Sequence, residues 1–86
     1  MISGEQGRYR IDGAITMNNA NAVLEEGLAK FGDAAEVDLS ALGETDSAAV
    51  SLLLEWRRVN PALKFIGCPD NLKSLVTLYG VLELVQ

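Results

Sequence analysis

The residues with the clearest potential for chemistry are four consecutive polar side chains, Glu44, Thr45, Asp46 and Ser47, which run directly into an apolar helical pattern. Side-chain oxygens at the start of a helix accept hydrogen bonds from its free backbone N–H groups, and a good cap contributes about 1 kcal/mol. The same position stabilises an anion, through the free N–H groups and the helix dipole. This stretch therefore has two compatible interpretations, a helix cap and a partner contact at which Ser47 is a possible phosphorylation site.

Other chemistry is scarce in this chain. It has no histidine and one cysteine, so zinc ligand sets of the usual kind and Ser-His or Cys-His pairs cannot form. Neither a GxxxxGK[ST] loop nor a GxGxxG turn is present. The twelve acidic residues show no spacing typical of a metal site or a carboxylate dyad. We predict a protein that is not an enzyme and that needs no cofactor or metal.

The length and net charge of the chain limit which classes of protein remain. Eighty-six residues predict a single domain, 1–86, with one core. The net charge of −5 and the thinly spread basic residues argue against binding to nucleic acid or adhesion to anionic lipid. No apolar run approaches the roughly 20 residues of a membrane span, and the polar N-terminus does not resemble a signal peptide. Cys68 is the only cysteine, so the chain cannot form an internal disulfide, and we interpret Cys68 as a small buried side chain. We therefore predict a cytoplasmic protein without membrane insertion.

The first half of the chain predicts two strands and a helix. Residues 8–17 alternate apolar and polar side chains around Asp12-Gly13, which is typical of a β-hairpin. Asn18-Asn19 offers a cap for a helix that ends at Gly32. Gly27 lies inside this helix at a cost of about 1 kcal/mol relative to alanine, which indicates a close approach to a strand.

The second half predicts alternating strands and helices. Strand 36–42 leads through the polar tetrad into a helix over 47–59. Residues 63–68 are nearly all apolar, which favours a strand covered on both faces. A last helix runs from Pro69-Asp70 to Gly80 with Leu72, Leu75, Val76 and Tyr79 at core spacing, and residues 81–86 are a short strand or a half turn. The predicted fold is α/β, a mixed β-sheet with helices packed on it, in the order ββαβαβα.

The apolar arc of helix 47–59 is wider than one sheet requires. At 100° per residue the apolar side chains cover about 240°, whereas a helix on a single sheet needs about 100° or somewhat more. Ala49, Leu53 and Trp56 form the centre of this arc and are assigned to the core. Its far edge is covered either by flanking elements or by a partner. The partner surface would consist of Ser47, Val50, Ser51, Leu54 and Arg57.

The strand-loop-helix sequence VDLSALGETDSAAVSLLLEW resembles the STAS domain (sulfate transporter and anti-sigma factor antagonist). That family places a strand ending in Asp-Leu-Ser before a short loop and an Asp-Ser or Asp-Thr at a helix start. Asp38-Leu39-Ser40 and Asp46-Ser47 match these elements. The family often has glycine two residues after the Ser or Thr, and this chain has Ala49, which could crowd a partner at the first helical turn.

Two branches of the family fit the chain. Its short length and the C-terminal stretch LKSLVTLYGVLELV look like the MlaB-type subunit of the Mla phospholipid ABC transporter. This resemblance implies a partner, the cytoplasmic ATPase of the transporter. The chain would support the assembly and activity of that ATPase, would be peripheral to the inner membrane through it, and would help maintain outer-membrane lipid asymmetry.

The alternative branch is the anti-sigma factor antagonists, in which a partner kinase phosphorylates the serine at the motif position. Ser47 favours this branch slightly, because the Mla branch frequently has threonine there. A pocket for a nucleotide or lipid is a third possibility, for which no motif is present.

Overall fold

The computed structural model describes residues 1–86 and has the predicted element order, with one 3₁₀ turn added at the end. Its elements are β1 (Ile2–Glu5), β2 (Arg8–Ile15), α1 (Ala20–Lys30), β3 (Glu36–Thr45), α2 (Ser47–Val59), β4 (Lys64–Ile66), α3 (Asp70–Leu78) and the 3₁₀ helix (Leu82–Val85). The strands form one sheet in the order β1-β2-β3-β4. β1 pairs with β2 antiparallel, and the β2–β3 and β3–β4 pairs are parallel. The α/β prediction with a mixed sheet is confirmed.

The hairpin lies earlier in the chain than predicted. Its turn is at Gln6 and Gly7, which both have positive φ, 56° and 83°, as tight two-residue hairpin turns require. Residues 8–15 form one continuous strand, so the prediction of a turn at Asp12-Gly13 is wrong. Gly13 has a φ of 88° and lies where the β2–β3 register shifts, so this glycine marks a bulge within the strand.

The helices cover only one face of the sheet. Single buried residues along β2 and β3 are separated by one to three exposed or half-exposed ones. In β4 only Phe65 is buried, with Lys64 and Ile66 exposed on either side. The expectation that β4 is covered on both faces is therefore wrong. The other face is exposed to solvent and carries charged side chains such as Arg8, Arg10 and Lys64.

Trp56 of α2 lies in the core, as predicted. Its indole is buried and donates from Nε1 to the carbonyl oxygen of Leu24 at 3.3 Å. The Trp56 and Phe31 rings pack edge to face, with 4.9 Å between their centroids. A Cβ at Gly27 would overlap the Trp56 ring. The close approach at Gly27 is therefore to a neighbouring helix, and the prediction that it is to a strand is wrong. Glycine is required at this position because α1 lies directly on the indole.

The helix ends are held by specific contacts. Asn60, which follows α2, is buried and donates from Nδ2 to the carbonyl oxygens of Phe31 and Ala34, so it joins the ends of α1 and α2. Asn19 precedes α1, but its side chain bonds Thr16 and Ala14 and makes no cap. Tyr79 lies just past α3 and is 55% exposed, which corrects its assignment to the core.

Candidate functional site

Asp46 is the residue that organises the start of α2. Its Oδ1 accepts from the backbone N–H of Ala48 at 2.9 Å, and its Oδ2 accepts from that of Met17 at 3.0 Å. One carboxylate thus caps the helix and holds the loop that leads into α1. Thr45 ends β3, and its Oγ1 accepts from Nδ2 of Asn71 at 3.3 Å, which links β3 to the first turn of α3. The capping interpretation is correct for Asp46.

Ser47 has a different environment from Asp46. It is the first residue of α2, it is exposed, and its side chain makes no hydrogen bond within the domain. A capping role for Ser47 or Thr45 is therefore wrong, because the position that caps is occupied by Asp46. The Ser47 hydroxyl is free to contact a partner or to be modified.

Two alanine substitutions separate these roles. Asp46→Ala removes two hydrogen bonds to backbone N–H groups and should lower the free energy of unfolding by about 1–2 kcal/mol. Ser47→Ala removes none and should change it by less than about 0.5 kcal/mol. Urea unfolding of the purified domains measures both values. Equal destabilisation by the two substitutions would contradict the assignment of the cap to Asp46 alone.

The proposed partner surface on α2 divides into exposed and covered residues. Ser47, Ser51 and Leu54 are exposed, and 45% of Leu54 is accessible to solvent. Val50 is only 4% exposed. Flanking elements therefore account for part of the wide apolar arc, while Leu54 remains outside the core.

Arg57 is held by the chain's own C-terminal segment. Its Nη2 donates to the carbonyl oxygen of Leu84 at 2.9 Å, and its guanidinium lies 5.3 Å from the centre of the Phe65 ring. Its Nε is buried without a hydrogen-bond partner. In the free domain Arg57 therefore fastens the 3₁₀ helix to α2 and β4.

The exposed residues of α2, together with the buried Val50, form one wall of a groove of about 390 Å³. Ser47, Val50, Ser51 and Leu54 line this wall, and the opposite wall is Tyr79 and Val81. We call these six residues the α2–α3 groove. Sequence reasoning missed Tyr79 and Val81, although Gly80 between them marked the end of α3. No local signal identified these two residues, because their position opposite α2 depends on how α3 packs against it.

The other reactive groups lie outside this groove. Hydrogen bonding from the backbone N–H of Ser40 lowers the pKa of Asp38, with a smaller contribution from Arg10 on the open face of the sheet. Partial burial raises the pKa of the Cys68 thiol, which makes it a weaker nucleophile. No set of three or more potential His, Cys, Asp or Glu ligands is grouped to hold a metal ion. None of the helices has the length and apolar character needed to cross a membrane.

Comparison with known proteins gives a family and a fold. A family model described as "Mlab, STAS domain" matches residues 1–86. No curated protein matches the sequence significantly. Among solved structures, that of the anti-sigma factor antagonist SpoIIAA in its unphosphorylated form is similar, with a TM-score of 0.74 and 13% sequence identity. The match covers 100% of this chain and 84% of SpoIIAA. At this identity the similarity shows the fold alone.

Proposed function

The chain belongs to the STAS-domain family, and on this basis we propose that it is a non-catalytic subunit that binds the cytoplasmic ATPase of a phospholipid ABC transporter of the Mla type. It would support the assembly and activity of that ATPase in maintaining outer-membrane lipid asymmetry. STAS domains generally act by binding partner proteins. The match of the whole chain to the MlaB-containing family model supports the choice of partner.

The observation that carries the binding function is the exposure of Leu54 in the α2–α3 groove. A leucine that is 45% exposed and lines the same groove as two exposed serines and an exposed tyrosine presents apolar area beside polar groups. Such a combination is typical of protein interfaces, where an apolar centre is surrounded by polar side chains. The proposed contact residues are Ser47, Ser51 and Leu54, with Thr45 and Asp46 at the start of the helix.

Val50, which is buried, and Arg57, which is partly buried, have supporting roles in this proposal. Val50 lines the groove but is almost completely buried. Arg57 holds the C-terminal segment that carries Val81 and the opposite wall. They would shape the contact surface while Leu54 and the serines meet the partner.

Co-expression tests this function directly. The chain should co-purify in a stable complex with an Mla-type ATPase encoded in the same genome, and the isolated chain should show no catalytic turnover of its own. An anti-sigma factor kinase from that genome is the matched alternative bait. Capture of the kinase alone would refute the proposed partner.

A second candidate function is an anti-sigma factor antagonist, and the free hydroxyl of Ser47 favours it. This hydroxyl makes no hydrogen bond and lies next to the Asp46 carboxylate, so a phosphate there would be repelled by Asp46 while it is attracted to the helix N-terminus. Because repulsion by Asp46 and attraction to the helix N-terminus oppose each other, phosphorylation of Ser47 would be suited to switch partner binding. Stoichiometric phosphoserine at position 47, measured by intact mass on protein from its native host, would support this function over the transporter function.

A further inference from the structure

Arg57 is a cation without an anionic partner in the domain. The chain has twelve acidic residues, and the neighbouring Arg58 is paired with one of them, Glu55. No carboxylate, that of Glu83 in the 3₁₀ helix included, lies within 4 Å of the Arg57 guanidinium. Arg57 is nevertheless partly buried and lies against the Phe65 ring. Because charges that leave water are normally paired in proteins, the unpaired state of Arg57 requires an explanation.

The edge of the guanidinium that carries Nε and Nη2 is only half used. In an arginine this edge presents two parallel N–H groups, which match the two oxygens of one carboxylate. Here Nη2 donates to the carbonyl oxygen of Leu84 at 2.9 Å, whereas Nε is buried without an acceptor. A single backbone carbonyl therefore stands where a carboxylate would satisfy both donors, and the unmade bond of Nε costs the free domain stability.

The segment that supplies this carbonyl is lightly attached. The bond from Arg57 to Leu84 is the only hydrogen bond that joins the 3₁₀ helix to α2, α3 or the sheet. Leu84 is also the one buried side chain of that helix. The connection to α3 passes through Gly80, which has a φ of 74° and open space around it. Movement of the segment about Gly80 would therefore break one hydrogen bond and expose one buried side chain.

We propose that the Nε–Nη2 edge of Arg57 binds a carboxylate of the partner protein, and that the C-terminal segment covers this site until the partner displaces it. An Asp or Glu side chain of the partner accepts from both Nε and Nη2 in place of the Leu84 carbonyl, and it pairs the cation. The same movement displaces Val81, which lines the α2–α3 groove. The inference rests on the proposed function for the identity of the partner alone.

Acetate tests the site on the intact, unmodified chain without any partner. The Nε–H resonance of Arg57, assigned through its own side chain in proton–nitrogen correlation spectra, should move in a saturable way as acetate is added. Chloride at the same ionic strength should not move it. The Nε–H of Arg58 is the internal control and should respond less, because it already donates to Glu55. No saturable response of Arg57, or an equal response to chloride, would refute the site.

Two matched lysine substitutions test the site in the complex with the purified Mla-type ATPase. Arg57→Lys keeps the charge but lacks the two-donor edge, so it should weaken binding about tenfold. Arg58→Lys makes the same change at the next residue and should alter the dissociation constant less than about twofold, because the pair that Arg58 forms with Glu55 is exposed. Melting temperatures show whether both variants remain folded.

The results separate this site from the proposed function. If acetate moves the Arg57 resonance but the ATPase does not bind, the site stands and the proposed function fails. If the ATPase binds and both folded lysine variants bind equally well, the function stands and the carboxylate site is refuted. A bound water detected at the Nε–H, together with no response to acetate, would show that water is the missing partner and would also refute the site.

Discussion

Leu54→Asp should abolish association with the partner while leaving the free domain folded. Leu54 is 45% exposed, and substitutions at such surface positions usually change the free energy of unfolding by about 0.5 kcal/mol or less. In the complex the aspartate would be buried against apolar side chains without a cation in contact. Such a charge costs several kcal/mol, enough to weaken binding more than a hundredfold. Melting temperature and a pull-down with the ATPase measure the two effects separately.

Leu53→Asp is the matched control, one residue away on the same helix. Leu53 is completely buried in the core, so the same substitution there should unfold the domain. The two variants therefore make the same leucine-to-aspartate change at a proposed contact residue and at a core residue. Comparable destabilisation of the free domain by both substitutions would mean that Leu54 belongs to the core, and the binding surface would have to lie elsewhere.

Gly27→Ala should destabilise the domain although alanine is the better helix former. The added methyl group would overlap the indole of Trp56, which is buried and held by its bond to the Leu24 carbonyl. Overpacking of this kind costs about 1–3 kcal/mol, which offsets the roughly 1 kcal/mol that alanine contributes inside a helix. In a domain of this size each kcal/mol lowers the melting temperature by about 4–8 °C, which calorimetry resolves.

Gly32→Ala is the control for this prediction. A Cβ at Gly32 has no neighbour within 4 Å and the residue has no positive φ, so its substitution should be close to neutral. If Gly27→Ala proved as neutral as Gly32→Ala, α1 could move away from α2 at little cost. The contact between Gly27 and Trp56 would then not determine how the two helices pack.

The order of elements was predictable because local signals were strong. Asn60-Pro61 ends α2, and Gly80, with a φ of 74°, ends α3, as predicted. The position of the hairpin was not predictable in the same way. Asp12-Gly13 has the composition of a turn, yet the parallel pairing of β2 with β3 carries the strand through it as a bulge. The actual turn uses Gln6-Gly7, a weaker signal than Asn-Gly or Asp-Gly.

The candidate site was only partly predictable for a related reason. The helical wheel placed Leu54 outside the core correctly, since its angle depends on α2 alone. Val50 and Arg57 have neighbouring angles, but Val50 is buried and Arg57 is bonded to Leu84, which is 27 residues away. A helical wheel does not show which distant segment of the chain packs against the helix. Tyr79 and Val81 were missed for the same reason, because their place opposite α2 is a tertiary property.

The most direct test of the central claim is photocrosslinking in the native host from position 54. A photoreactive phenylalanine analogue replaces Leu54, and the same analogue at the exposed Glu25 on α1 is the control. The proposed function predicts that position 54 crosslinks to the ATPase of an Mla-type transporter and that position 25 does not. A crosslink from position 54 to an anti-sigma factor kinase, or equal crosslinking of the ATPase from both positions, would contradict it.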